Sequence, residues 1–163
     1  MPNPQPIPAS ALALLPDSDR RAPAEELASG AWVVAGKHAL ILVDAERVLD
    51  SGMWYEVATA KWSAEDRILD IEWMDPARSK VRVETVSKDP HVLMRTIADR
   101  VNHSIVVHKS TRVANGTTIS AWIRRRDDDR LFSALTALGP LDAASEREAA
   151  AFERMLREGV GLD

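Results

Sequence analysis

The feature that most constrains this chain is a change of hydrophobic period near residue 89. Before it, apolar and polar side chains alternate. Leu69, Ile71 and Trp73 alternate with Asp70 and Glu72, and Val81, Val83 and Thr85 alternate with Arg82 and Glu84. Successive side chains of a strand point to opposite faces, so this pattern predicts half-buried β-strands. A further strand is expected over 54–62, where Val57, Thr59 and Lys61 alternate with Ala58, Ala60 and Trp62. Polar turns at 64–67 and 75–78 separate the three. At Asp89-Pro90 the spacing becomes helical, with Met94, Ile97, Ala98 and Val101 on one face. Asp89 suits an N-cap and Pro90 the first helical position, which predicts a helix over about 90–103.

Strand signals lie on both sides of this block. Residues 32–35 and 39–43 are short apolar runs around Gly36-Lys37-His38, which predicts a hairpin. A weaker strand over 21–28 precedes them across Ser29-Gly30, with Pro23 at an edge or bulge. Residues 44–52 read as a connection with a short extended piece at Val48-Leu49. After the helix, runs at 105–111 and 117–124 flank Ala114-Asn115-Gly116, and Asn-Gly between extended runs is a strong hairpin signal. Asp127-Asp128-Asp129 marks a second turn. Residues 131–138 fit either strand or helix; shortness and position after a hairpin favour strand. Ser145 and Glu148 form a capping-box pattern for a last helix over about 145–158, with Phe152, Met155 and Leu156 on one face and Gly159 ending it. Residues 1–18 hold five of the nine prolines and read as a flexible tail. The expectation is an α+β chain: a tail over 1–18, then one domain over 19–163 with a core at 20–104 and a β-β-β-α extension at 105–163.

Composition removes several function classes. There is no cysteine, which excludes disulfides, thiolate chemistry and Cys-based zinc sites. The formal net charge is −4, without the basic excess of a general nucleic-acid binder, so no nucleic-acid partner is expected. The apolar run 39–43 is far too short to span a bilayer. The apolar piece 11–15 lies between Pro8 and Pro16 with no basic segment before it, unlike a signal peptide, so a cytoplasmic location is expected. No nucleophile elbow, phosphate-cradling glycine loop or dinucleotide fingerprint is present, and neither a catalytic residue nor a cofactor is assigned.

The chemistry-bearing side chains have plain readings beside sharper ones. His38, His91, His103 and His108 are scattered and do not suggest converging metal ligands. Glu65, Asp66, Asp70 and Glu72 fall on a turn and the polar side of a strand, as a solvated sheet face would. Arg124-Arg125-Arg126 is the only basic run, and Asp127-Asp128-Asp129 with Arg130 follows at once, as in an ion-laced turn. Period-two geometry still lets Arg124 and Arg126 share one face and receive an anion. Trp54, Trp62, Trp73 and Trp122 lie on expected strands, where core packing is the default. A ligand pocket or partner patch requires some of them exposed, with Trp54 and Trp62 as candidates beside Arg124 and Arg126. Ala149, Ala150, Phe152, Met155 and Leu156 form an apolar stripe for packing on the chain's own sheet or, alternatively, on a second copy.

Several stretches together resemble the pleckstrin-homology-like (PH-like) fold, and in detail actinobacterial proteins of unknown function that carry such a domain. These are Trp32-Val33-Val34-Ala35 running into Ala39-Leu40-Ile41-Leu42; Trp54, Glu56-Val57 and Ala60-Lys61-Trp62; Glu65-Asp66-Arg67-Ile68-Leu69; and Arg100-Val101-Asn102-His103-Ser104-Ile105-Val106-Val107. The resemblance covers roughly residues 20–138. It implies an antiparallel sheet or partial barrel plugged by the 90–103 helix, and no particular activity. Lipid-binding members of the fold carry Lys and Arg between the first two strands. The matching Ser29-Gly30 has none, so phosphoinositide binding by that loop is not expected. The functional expectation is a non-catalytic binding or scaffolding module for an unknown protein or small ligand, engaged at a sheet edge or beside the 90–103 helix. The alternative is a small enzyme that pairs His103 or His108 with a carboxylate.

Overall fold

A computed structural model describes residues 7–162 and has an α+β architecture of antiparallel sheets and helices. Residues 1–6, with the first prolines of the expected tail, lie outside the described residues, as does residue 163. The chain divides into two compact units, 1–101 and 102–163. The division falls inside a helix, three residues before the core–extension junction expected after residue 104. No helix among the described residues is long and apolar enough to cross a membrane.

In the first unit, a short helix α1 (Ala9–Leu12) precedes strands β1 (Ala24–Glu26), β2 (Trp32–Ala35), β3 (Ala39–Val43) and β4 (Val48–Met53). These form one sheet in the order β1-β2-β3-β4. The unbroken apolar character of β2 and β3 has a physical cause: both strands are buried on both faces. Trp32 pairs with Val43 and Val34 with Ile41, and these four pack against Ala11 and Leu15. The segment expected as a flexible tail is therefore, from Ile7 onward, a cover for the sheet. Pro8 and Pro16 do not break structure here. Each is the extended residue that opens a helical turn, α1 and the 3-10 turn Asp17–Asp19. Asp19 then ties this segment to the hairpin, its carboxylate accepting the Lys37 N–H at 2.9 Å. A Cβ at Gly36 would lie 2.5 Å from that carboxylate and 2.8 Å from the Ala39 carbonyl oxygen, so the turn requires glycine.

A second sheet holds β5 (Val57–Ser63), β6 (Ile68–Trp73) and β7 (Val81–Glu84) in the order β5-β6-β7. Its first strand begins at Val57 rather than at the expected residue 54, because Trp54–Glu56 coil into a 3-10 turn closed by the Glu56 carboxylate on the Met53 N–H at 2.7 Å. The alternation in β6 is as expected, with Leu69, Ile71 and Trp73 buried, while Asp70 and Glu72 pair with Arg82 and Lys80. An isolated bridge Leu27↔Thr85, flanked by hydrogen bonds Ala28 N–H to Glu84 O and Val86 N–H to Glu26 O, joins the ends of β1 and β7. Helix α2 (His91–Ser104) follows. Its buried stripe is Leu93, Ile97 and Val101, so of the expected face Ile97 and Val101 are buried while Ala98 is exposed.

The second unit holds β8 (Ile105–Arg112), β9 (Thr118–Arg125), β10 (Leu131–Ala137) and α3 (Ala143–Gly159), with sheet order β10-β9-β8. The Asn115-Gly116 turn forms as expected, with Gly116 at φ +86°. Residues 131–137 are a strand, paired with β9 along their whole length. The last helix starts two residues earlier than the capping-box pattern indicates. Asp142 is the N-cap, accepting the Ser145 N–H at 2.8 Å. Ser145 and Glu148 instead hold the β8–β9 turn: Ser145 Oγ accepts the Asn115 N–H at 3.3 Å, and Glu148 accepts the Ala114 N–H at 3.1 Å. Ala149, Phe152 and Leu156 pack on Ile119, Ala121 and Ile123, whereas Met155 is 55% exposed.

Two substitutions test this packing. Leu15→Ala removes a buried side chain from the N-terminal cover and should cost about 2–4 kcal/mol in urea denaturation. A loss below about 0.5 kcal/mol, the size of a neutral surface change, would show the segment to be a loose arm. Gly52→Ala would drive a Cβ into the Trp73 ring and should cost about 1–3 kcal/mol by the same measurement.

Candidate functional site

The strands of the second unit carry an unusual charge pattern. Lys109, Arg112, Arg124 and Arg125 are basic, and β8, β9 and β10 contain no Asp or Glu. Alternation along β9 sends Ile119, Ala121 and Ile123 toward α3, so Ser120, Trp122 and Arg124 occupy the opposite face. The register builds rows across that face. His108, Trp122 and Ala134 form one row; Ser110, Ser120 and Thr136 form the next. On the other side, Arg124 is opposite Phe132.

The central row has defined geometry. The His108 and Trp122 rings stack with centroids 3.5 Å apart and planes 6° from parallel. The Ser110 and Ser120 hydroxyls share a hydrogen bond of 2.7 Å. Arg124 is fully buried, donates to Ser104 Oγ at 2.6 Å and holds its guanidinium carbon 5.6 Å from the Trp122 ring centroid. Burial lowers its pKa to about 10, so it remains a cation at neutral pH. Arg126 is exposed, with its guanidinium carbon 4.5 Å above the Phe132 ring. The Trp122 indole nitrogen is buried and has no hydrogen-bond partner among the described residues. An unsatisfied buried donor costs about 1–3 kcal/mol. A fixed positive charge and an N–H without a partner among the described residues thus lie beneath this face, both buried, and together they suit an acceptor carrying negative charge.

Of the four ligand candidates, Arg124 and Arg126 meet here, both beside Phe132. Trp54 and Trp62 belong to the first unit and do not join them. Trp54 is 5% exposed and donates its indole N–H to the Gly36 carbonyl at 2.9 Å, a packing role. Trp62 is half-buried and donates to Thr85 Oγ1 at 3.1 Å. The Trp73 indole nitrogen also lacks a partner among the described residues, but Trp73 is 5% exposed, with its ring under the Arg78 guanidinium at 3.7 Å and against Gly52. The His108–Trp122 pair was not singled out from the sequence, although its signal was present. Counting outward from the three-residue loop Ala114-Asn115-Gly116 sets Arg112 opposite Thr118, Ser110 opposite Ser120 and His108 opposite Trp122, whereas a two-residue Asn115-Gly116 turn would set His108 opposite Ile123.

The enzymatic alternative requires His103 or His108 beside a carboxylate. His103 receives Arg125, which donates to its carbonyl at 2.7 Å, and His108 meets Trp122. Both histidines are exposed, and neither has a carboxylate within hydrogen-bond reach among the described residues. The one His–carboxylate pair found there, His91–Asp89 at 3.2 Å, is exposed at the start of α2. No group of three or more His, Asp or Glu side chains among the described residues is placed to hold a metal ion.

Desolvation first, and then the charge of Arg124, pull the His108 pKa below its ordinary 6.5. A base with a lowered pKa binds fewer protons folded than unfolded. The stacked pair is therefore fully stable above the unfolded pKa and loses stability as pH falls through it. In an NMR titration His108 should show a midpoint below 6.5, moving upward in Arg124→Met; a midpoint at or above 6.5 in the parent chain would contradict this electrostatic picture. Compared with known proteins, the chain matches no family model, no curated protein and no solved structure.

Proposed function

We propose that this chain is a non-catalytic binding module that takes an anionic ligand on the β8–β10 face opposite α3. The observation that carries it is the buried Trp122 N–H, without a partner among the described residues, beside the Arg124 cation on strands with no acidic residue. A PH-like character of the first unit is part of the same proposal. Its support is the strand succession β4-β3-β2-β1, joined by the Leu27↔Thr85 bridge to β7-β6-β5 and followed by α2. Folds of this kind host binding rather than a fixed chemistry. A cytoplasmic setting accords with the absence of cysteine.

The test is a ¹H–¹⁵N NMR titration of the full chain with phosphate, sulfate, acetate, phenyl phosphate and a poly-glutamate peptide. At least one should shift the Trp122 indole N–H resonance saturably downfield, together with the His108, Ser110 and Ser120 amides. Arg124→Met should weaken that binding at least tenfold. Saturable shifts confined to other surfaces, or none with any of these anions, would overturn the proposal.

A further inference from the structure

The row His108–Trp122–Ala134 is asymmetric. On the β8 side of Trp122 a flat ring already stacks at 3.5 Å. On the β10 side the register supplies Ala134, a single methyl, between Phe132 and Thr136. Neighbouring strands are about 4.8 Å apart, close to the thickness of one stacked ring, and four residues along a strand span about 13 Å. β10 is an edge strand, so no further strand closes the outer side. Trp122 and Ala134 are both half-buried. From this slot Arg124, Arg126 and Phe132 lie toward one end, and the Ser120 and Thr136 side chains toward the other.

Resting on the anion-binding reading above, we infer that the ligand is a flat aromatic ring bearing an anionic group. The ring stacks on Trp122 over Ala134, taking on the β10 side the place that His108 takes on the β8 side. The anionic group points toward Arg124 and the indole N–H; both are buried in the free chain, so an anionic oxygen reaches them as the side chains over them move aside. Stacking and charge act at different ends of the molecule. Neither half alone fills the site, so specificity is for their combination.

Phenyl phosphate is the probe, with inorganic phosphate and phenol as its two halves, titrated into the full chain by calorimetry. Phenyl phosphate should bind at least tenfold tighter than either half. Ala134→Leu, which fills the slot without touching a donor, should weaken it at least tenfold and leave inorganic phosphate unchanged. In the saturated parent complex, phenyl protons should show intermolecular NOEs to the Ala134 methyl, a readout independent of any variant. If inorganic phosphate binds as tightly as phenyl phosphate, or Ala134→Leu has no effect, or the NOEs are absent, the aromatic ligand is wrong while the anion surface stands. If none of the anions of the preceding titration binds at Trp122, both fall together.

Discussion

A three-stranded sheet has two faces, and the second unit has one long helix with which to cover them. How α3 is held decides which face that is. Asp142 caps it, and Ser145 and Glu148 grip the backbone of the 114–116 turn, while the Asn115 side chain donates to the Pro140 carbonyl at 2.9 Å. These bonds fix the helix at the turn end of the hairpin, and its apolar stripe then lies along Ile119, Ala121 and Ile123. By alternation alone, Ser120, Trp122 and Arg124 are left to the other side. The capping, turn and register constraints therefore act together, and the position of the candidate site follows from them.

The first unit obeys the complementary rule. Its central hairpin is apolar on both faces, so it requires cover on both. Part of that cover comes from a segment of only about a dozen residues, held by two buried apolar side chains, Ala11 and Leu15, and by one carboxylate, Asp19. Asp19 is 5% exposed, but it spends its charge on a turn N–H that would otherwise lack a partner, and a carboxylate so placed organises local backbone at modest cost.

Much of this was legible in the sequence, and the exceptions have physical reasons. Period-two alternation located β6 and β7, and turn residues between extended runs located the hairpins, because each signal is local. The Asn-Gly signal locates the β8–β9 hairpin, but the pairing of His108 with Trp122 depends on a three-residue loop, Ala114 to Gly116; a two-residue turn would pair His108 with Ile123. Proline content misled at 7–18, where Pro8 and Pro16 open helical turns rather than break them. The unbroken apolar runs at 32–35 and 39–43 already required a second layer, and Ala11 to Leu15 was the nearest apolar stretch to supply it. Ser145 and Glu148 matched a capping box, but their partners are 30 and 34 residues away, which no local pattern reveals. The buried state of Arg124 and the missing partner of the Trp122 N–H likewise depend on tertiary packing.

The N-terminal cover changes where the fold begins. By composition residue 19 is a natural boundary, with a proline-rich leader before it. A chain started there would lose Ala11 and Leu15 and uncover Trp32, Val34, Ile41 and Val43 together. Contiguous apolar surface of that sort drives self-association. A protein trimmed to its apparently ordered part would then look like an oligomer, and the association would report the missing leader rather than a native partner.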